Sequence, residues 1–412
     1  MISADVAAGD KAVVVIDPHG DLAKSITKLC PAGDAERVIY FSPSEQRETP
    51  FGLNPFEWQQ ERERSERVTA ILKVFNHLWY GSFSQTPTMQ NTLETLSRIL
   101  ISAYPALKTH FFHMLLLTGD DEVGAQWRRK LAKYALDNPV AARKWAEWQA
   151  DEASVAPRTK ADARPSQRKL DMQSSKDKIA HIIGDETIQH VLCQITSSAC
   201  FRFQEMLASR RVLLINLNGL EAESQKLIGS IILTQILAMG YLREQQSQRV
   251  PCHLYADEFD MFSPAAFAEI ISKARKFGIF VTIAHQSLSQ VDLQAQRAAL
   301  NCANKIVFQI NAAVARILAP NFHKNSSFPE GGFTHLPLYT ATVRVSHRRE
   351  TQQATIKTLK EQGQEDEEIA ERIMQQSLIY GRPRAEVAKH IAELAVKRKS
   401  TKVEDDFWVD KE

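Results

Sequence analysis

Asp257 and Glu258 stand side by side at the end of a short apolar run, His253-Leu254-Tyr255-Ala256. A strand that delivers two carboxylates to the C-terminal edge of a parallel sheet can put both to use. The first can hold the water shell of a nucleotide-bound Mg2+, and the second can polarise an attacking water. A surface turn whose two acids simply face solvent is the alternative reading of this hexapeptide. The next residues bear on the choice. Ser272 to Gly278 ends a helix with stacked positive charge and a glycine cap, and the run 279–284 then delivers His285 and Gln286 at its end. A glutamine at the carboxyl end of the strand after the paired acids can sense a γ-phosphate or the attacking water.

Such residues need a sheet to carry them. Short, almost continuously apolar runs at 12–16, 37–41, 212–217, 253–256, 279–284 and 305–310 read as strands buried on both faces of a parallel sheet. Helical patterns at 222–245 and 264–277 lie between the later runs, giving the βαβ rhythm of an open α/β sheet. From about 57 to 209 no run reads as a strand. Val68, Ile71, Leu72, Phe75, Leu78 and Trp79, then Leu93, Leu96, Ile99 and Leu100, recur at helical spacing, so this stretch reads as an all-helical insertion. Within it, 151–168 is poor in apolar residues and reads as a mobile loop. The division predicted is 1–56 and 210–347 for the two parts of the α/β domain, 57–209 for the insertion, and 348–412 for a charged tail with one amphipathic helix at 384–397.

Composition narrows the class of protein. Hydrophobic residues make up 44% and charged residues 24% of the 412, near the average for globular chains. Lys and Arg total 51 against 49 Asp and Glu, so a basic surface, where there is one, must be local. The five cysteines form no CxxC pair and the twelve histidines are scattered, which argues against a zinc site and a disulfide framework. His110 and His113 read as ordinary residues of a helix face. The longest greasy stretch, 227–239, is shorter than the ~20 apolar residues of a membrane span. With no secretory signal at the start, a cytoplasmic setting is the expectation.

Taken in order, Tyr255-Ala256-Asp257-Glu258-Phe259, Ala274-Arg275-Lys276-Phe277-Gly278 and Ala284-His285-Gln286-Ser287-Leu288 resemble the ATPase domain of type IV secretion coupling proteins of the TraG and TraD type. These are hexameric DNA pumps in the wider group that includes HerA and FtsK. Val14-Val15-Ile16-Asp17-Pro18-His19-Gly20-Asp21 resembles the family's second strand and turn, and Pro50-Phe51-Gly52-Leu53-Asn54-Pro55 the segment leading into its all-helical domain. The run 213–218, with the helix after Glu221, is similar to the strand and helix before the paired acids. The resemblance implies a RecA-like P-loop sheet and ATP and Mg2+ as cofactors. It implies Asp257 as the metal-side residue, through water, with Asp257, Glu258 and Gln286 catalytic and Asp17 cofactor-binding. It also implies DNA passing through the pore of a homohexamer, relaxosome and channel proteins as partners, and a place at the inner face of the cytoplasmic membrane. Arg275 has two readings: a solvated charge at a helix end, or an arginine finger that reaches the nucleotide of the neighbouring subunit.

One element of the family is missing from the pattern. No Gly-Lys dipeptide occurs, so G-x-x-x-x-G-K-[ST], whose backbone N–H groups cradle phosphates, is absent from these residues. Ala23-Lys24-Ser25 is the nearest imitation, with alanine where close backbone approach needs glycine. The expectation is a chain that begins at an internal methionine or downstream of a gene break, with an unpaired central strand left exposed. A HerA-like translocase in DNA processing and a non-catalytic binding module are the alternative functions. Trp145 and Trp148 could stack on bases or pack in the insertion, and Arg158, Lys160, Arg164, Arg168 and Lys169 could contact phosphates or form a solvated loop.

Overall fold

The computed structural model describes residues 1–79, 83, 85–154, 166–195, 202–243, 249–262, 264–286, 288, 293–322, 330–347, 350–359 and 363–396. Helix α1 (Ile2–Ala8) leads into β1 (Ala12–Asp17), α2 (Asp21–Lys28) and β2 (Val38–Phe41). Helices α3 (Glu63–Leu78), α4 (Pro87–Leu107), α5 (Phe111–Thr118), α6 (Glu122–Ala135), α7 (Pro139–Ser154), α8 (Gln167–Ile182), α9 (Glu186–Leu192) and α10 (Phe203–Ala208) follow. The chain then returns through β3 (Val212–Asn216), α11 (Ala222–Leu242), β4 (Cys252–Ala256), α12 (Pro264–Lys273) and β5 (Ile279–Ile283). Beyond these lie α13 (Leu293–Leu300), β6 (Lys305–Val307), α14 (Ala312–Leu318), β7 (Thr340–His347), β8 (Glu350–Lys357), α15 (Glu367–Ser377) and α16 (Arg384–Leu394).

Five strands form one parallel sheet in the order β2-β3-β1-β4-β5. All residues of β1, β2 and β3 are buried, the condition that near-continuous apolar runs foretell. Alternate side chains serve two cores. Val14, Ile16, Leu213, Leu254 and Ile279 face α11 and the helical insertion, while Val13, Val15, Val212, Leu214 and Tyr255 face α1, α2 and α15. Each such aliphatic side chain contributes roughly 1.5–3 kcal/mol by leaving water, so the strand register is strongly specified.

Helix α11 is the hinge between sheet and insertion, for it packs against α3 and shares one continuous core with both. It is 21 residues long and apolar enough to cross a membrane, yet 83% of its most apolar window is buried inside the fold. The sequence pattern understates its apolar length because Ser230, Thr234 and Gln235 interrupt it; all three are buried here. Thr234 satisfies its hydroxyl on the backbone carbonyls of Ser230 and Ile231. At Gly229 a Cβ would fall 2.2 Å from the ring of Phe262, so only glycine lets that ring lie against the helix.

Two parts of the C-terminal third differ from the sequence reading. The run at 305–310 does not join the parallel sheet: β6 pairs antiparallel with β7, and β7 with β8, in a separate three-stranded sheet. Along β6 burial alternates, with Lys305 and Val307 inside and Ile306 half exposed, as in a sheet covered on one face only. The tail begins with a strand, β8, which pairs with β7 along its whole length and half buries Thr351 and Gln353, two residues apart, on one face. Its helices also pack onto the body. Ser377 on α15 accepts the Tyr40 N–H at 2.9 Å with its hydroxyl and Gln376 donates to the Ala35 and Val38 carbonyls, closing the outer edge of β2. Gly381 bridges to Phe51, where a Cβ would meet the Thr49 carbonyl oxygen at 2.2 Å. Arg384 then spans Glu48 and Glu186. The chain from 366 to 394 is a strap from sheet to insertion.

The strap ends on a histidine seam. His110 caps α5, its N–H donating to His113 Nδ1 at 3.2 Å, and its Nε2 lies 3.3 Å from His390 Nε2 of α16. Burial pushes His113 down to about 3 and His110 well below the ordinary imidazole value, with His390 and Lys130 adding like charge. Among the described residues no group of acids, histidines and cysteines has the geometry of a metal site.

Two outcomes are expected. Gly229→Ala should destabilise the protein by about 1–3 kcal/mol in urea titration, and adding Phe262→Leu should return part of that loss. His110 and His113 are neutral when folded and titrate when unfolded, so their stabilisation is complete above pH ~6.5 and falls as pH drops toward the folded value. His113→Asn keeps an acceptor for the His110 N–H and removes one titration. Between pH 7 and 5 the parent should therefore lose roughly 2 kcal/mol more than this variant.

Candidate active site

The parallel register brings the ends of β1, β3, β4 and β5 to one edge of the sheet. The Asp257 N–H donates to the Ile16 carbonyl at 3.0 Å and the Ala284 N–H to the Ala256 carbonyl at 2.9 Å, which continues both ladders one residue past the strands. The Phe259 N–H then bonds the Ala284 carbonyl at 3.2 Å. These bonds tie the turn that carries Asp257 and Glu258 to the exit of β5 that carries His285 and Gln286. Asp257 and Glu258 are half buried and Gln286 is exposed, so all three are open to a ligand at the edge. Ser287 lies outside the described residues.

Glu258 has a φ of 43°, in the left-handed region that non-glycine residues rarely occupy. Such strain is held only where the surroundings dictate it. The surroundings here are Phe259 and Phe262, fully buried against α11. His285 stands edge-on to Phe259 with ring centroids 5.2 Å apart, and burial holds it below its ordinary value. Its Nδ1 and the Asp260 Oδ1 are both buried with no hydrogen-bond partner among the described residues. The pair of carboxylates can hold a hydrated divalent cation and orient a water; the described residues fit that half of a nucleotide site.

They do not fit the triphosphate. Asp17 is buried, and its two oxygens accept the His19 and Ala23 N–H groups, both at 2.9 Å. The N-terminus of α2, a natural anion site, is thereby filled by the chain's own carboxylate. Asp17 shapes this turn with Gly20, whose φ of 86° and approach to Asn216 leave no room for a Cβ. Ala23 is buried and Lys24 pairs with Glu45 at 2.7 Å, so the apparent imitation of a phosphate loop is ordinary helix. At the start of α11, Glu221 and Glu223 repel phosphate. A network unforeseen from sequence lies beside this: Asn216 Nδ2 donates to the Tyr40 hydroxyl at 2.7 Å, and that hydroxyl donates to Glu45 at 2.9 Å. The signal for it was an asparagine closing an apolar strand.

Arg275 does not join this edge. It sits exposed in the turn Ala274–Phe277 that Gly278 caps at a φ of 74°, immediately before β5. Strand β5 carries the chain about 17 Å from there to the edge, at ~3.3 Å per residue. Of the basic residues considered for phosphate contact, Arg158, Lys160 and Arg164 lie outside the described residues. Arg168 is buried and paired with Asp120 at 2.7 Å. Trp145 and Trp148 are 5% and 2% exposed and pack inside the insertion.

Comparison with known proteins bears on the fold and on one segment. Residues 251–319, from the start of β4 through α14, match the family profile described as the TraM recognition site of TraD and TraG. No curated protein matches the chain by sequence. Among solved structures, the plasmid coupling protein TrwB in complex with ADP and Mg2+ aligns with a TM-score of 0.59 at 14% identity, over 87% of this chain and 80% of that one. TrwB with the GTP analogue GDPNP aligns at 0.57 and 15% over the same shares. VirB4 of Thermoanaerobacter pseudethanolicus aligns at 0.50 and 13%, over 85% of this chain and 82% of that one. The resemblance to conjugative coupling proteins is borne out: the chain has their RecA-like fold, with a mostly parallel sheet.

Asp17→Asn would place an amide N–H2 against one of the two backbone N–H groups now satisfied. A loss of about 1–3 kcal/mol in urea titration is expected. Glu258→Gly, which relieves a left-handed residue, should be neutral or stabilising by up to ~1 kcal/mol in the same assay.

Proposed function

We propose that this chain is the motor portion of a coupling-protein-like ATPase that drives DNA, alone or with attached protein, toward a type IV secretion channel. The observation that carries the reading is the half-buried pair Asp257 and Glu258, hydrogen-bonded by backbone into the exit of β5 where Gln286 emerges. In this reading Asp257 holds the hydrated Mg2+, Glu258 orients the attacking water and Gln286 senses its position. Bound ATP supplies the free energy, and the residues named do no more than bind, orient and polarise.

The phosphate cradle comes from an element outside the residues described. Strand β5 supports this, because among the described residues it is the outer strand of the parallel sheet with its free edge unpaired, and Phe280 is 46% exposed on one face. An added parallel strand, followed by a loop and helix, would sit there with its loop beside the paired acids. The position of Arg275 across the sheet supports a finger acting in the neighbouring subunit of a ring, and with it a site shared between protomers. A non-catalytic binding module is the second reading, favoured by the carboxylate of Asp17 occupying the N–H groups at the start of α2.

Nucleotide binding and DNA-stimulated hydrolysis should be measured on the chain alone and on a version carrying a strand, phosphate loop and helix upstream. The chain alone is expected to be inactive. The extended version should hydrolyse ATP, lose at least ~100-fold with Glu258→Gln, and lose ~1000-fold with Arg275→Ala at nearly unchanged nucleotide affinity. Mixed rings of the two variants should recover part of the activity. Hydrolysis by the chain alone, abolished by Glu258→Gln, would show that the triphosphate is held elsewhere, and an inactive extended version would favour the binding module.

A further inference from the structure

One surface of the helical insertion and one stretch of sequence complement each other. From Gly124 to Leu136 the chain carries four cations, Arg128, Arg129, Lys130 and Lys133, and no acid. Arg129, Lys130 and Lys133 are exposed on α6, where Lys130 lies over the Trp127 ring at 5.0 Å and Lys133 over that of Tyr134 at 4.9 Å. Neither Arg129 nor Lys133 has an acidic partner among the described residues. The helix ends on bare apolar surface. Leu136 is 74% exposed and Val140, at the start of α7, is 67% exposed. Along α6 away from Trp127, a basic stretch is thus followed by an apolar one, with about 10 Å from Arg129 to Leu136 at ~1.5 Å per residue.

Residues 397–412 lie outside the described residues, and their sequence is polarised. Lys397, Arg398, Lys399 and Lys402 come first; Glu404, Asp405 and Asp406 follow, and then Phe407, Trp408 and Val409. Acids precede apolar residues in the order in which α6 presents their complements. The spacing agrees, since Asp405 to Trp408 covers about 10 Å when extended at ~3.3 Å per residue. The point of departure agrees as well. Helix α16 ends against α6, with Trp127 Nε1 donating to the Leu394 carbonyl at 3.3 Å, and the last described residue is Val396. The eight residues from there to Glu404 reach up to ~26 Å, more than the ~21 Å length of α6.

We propose that the segment 403–410 docks on α6 of its own chain, with Glu404, Asp405 and Asp406 against Arg129, Lys130 and Lys133, and Phe407 and Trp408 over Leu136 and Val140. Exposed ion pairs are individually weak. The tether compensates: a short flexible linker holds the segment at an effective concentration of the order of millimolar, so a contact with a Kd of ~1 mM is about half formed. The run 397–402 is basic and is therefore repelled by the same helix, which keeps the linker off the face that the acids seek. Docked in this way, the segment is an internal cover for a basic surface, displaced by an anionic partner that binds there more tightly. Neither a nucleotide nor the sheet edge takes part, so the inference stands apart from the motor reading.

The test is zero-length carbodiimide cross-linking of the full chain at low micromolar concentration, with the linked peptides identified by mass spectrometry. Links from Glu404, Asp405 or Asp406 to Lys130 or Lys133 are expected, and they should fall at least ~5-fold between about 20 mM and about 500 mM salt. Arg129→Glu leaves both lysines as reporters and should lower the yield ~5-fold; adding Asp405→Lys to it should create a link between positions 129 and 405. Trp408→Ser should lower the yield roughly 3-fold, whereas Lys389→Glu, at an exposed site on α16, should leave it within about two-fold. In an equal mixture of isotopically heavy and light chains, the links should join peptides of one isotope only. The proposal is overturned by links from the acids to Lys397, Lys399 or Lys402 alone, by no link at all, by links that mix isotopes, or by a yield that Arg129→Glu leaves unchanged. Arg129 is exposed, so its variants keep the fold, which circular dichroism checks.

Discussion

Parallel pairing of β1 with β3 on one side and with β4 on the other obliges those strands to end at a common edge. Asp17, Asn216 and Asp257 therefore converge although some 240 residues of chain separate the first from the last (257 − 17). Each then takes a different task because its local backbone differs. Asp17 meets two N–H groups of the turn into α2 and is consumed by them; Asn216 is drawn into hydrogen bonds with Tyr40 and Glu45. Only Asp257 and its neighbour are left facing outward, because the chain after β4 bonds the exit of β5 and does not turn back over the edge. Strand pairing thus decides which carboxylate is structural and which is available for chemistry.

The insertion bears on the same edge through α11. Gly229 admits Phe262, Phe262 and Phe259 anchor the short turn after Glu258, and that anchorage holds Glu258 in a left-handed conformation that an unsupported loop would abandon. Helix α3 presses α11 from the other side, and Lys73 of α3 meets Glu269 of α12 together with Tyr241 of α11. These contacts hold Glu269 at about 2, well below the usual carboxylate range, although its burial alone would raise it. A displacement of the insertion relative to the sheet would disturb this ion-paired contact and the Phe262 wedge together. The strap from α15 to α16 restrains the same displacement on the opposite side.

What could be read in the sequence follows the physics of burial. Strands β1 to β4 were legible because a parallel strand covered on both faces must be apolar at almost every position, and such runs are hard to produce otherwise; β5 keeps the apolar run although one face of it is open at Phe280. The paired acids and Gln286 were legible because a polar residue at the end of such a run sits at the edge by necessity. The strand β8 and helix α15 were not, since their buried residues are few: Ile373 and Ser377 do for α15 what a whole apolar stripe does elsewhere. The fate of Asp17 was hidden for a different reason. Whether a carboxylate binds a cation or caps its own turn depends on two backbone N–H groups whose direction is set by Gly20, and spacing alone says nothing of that.

The division of charge at the edge constrains any function built on it. Two strand-end carboxylates, a filled helix N-terminus at α2 and an acidic start to α11 make a place that attracts a divalent cation and repels a polyphosphate. Among the described residues no donors for a polyphosphate stand at this edge, and the side of β5 unpaired among them is where backbone hydrogen bonding has capacity to receive an element that brings them. Arg275, on the far side of β5, could neutralise charge only at a site formed with another copy. In the function proposed above, the first feature bears on completing the sheet and the second on a site shared between copies. In the proposed arrangement hydrolysis is conditional on assembly, because the finger would belong to a different protomer from the one that holds the water.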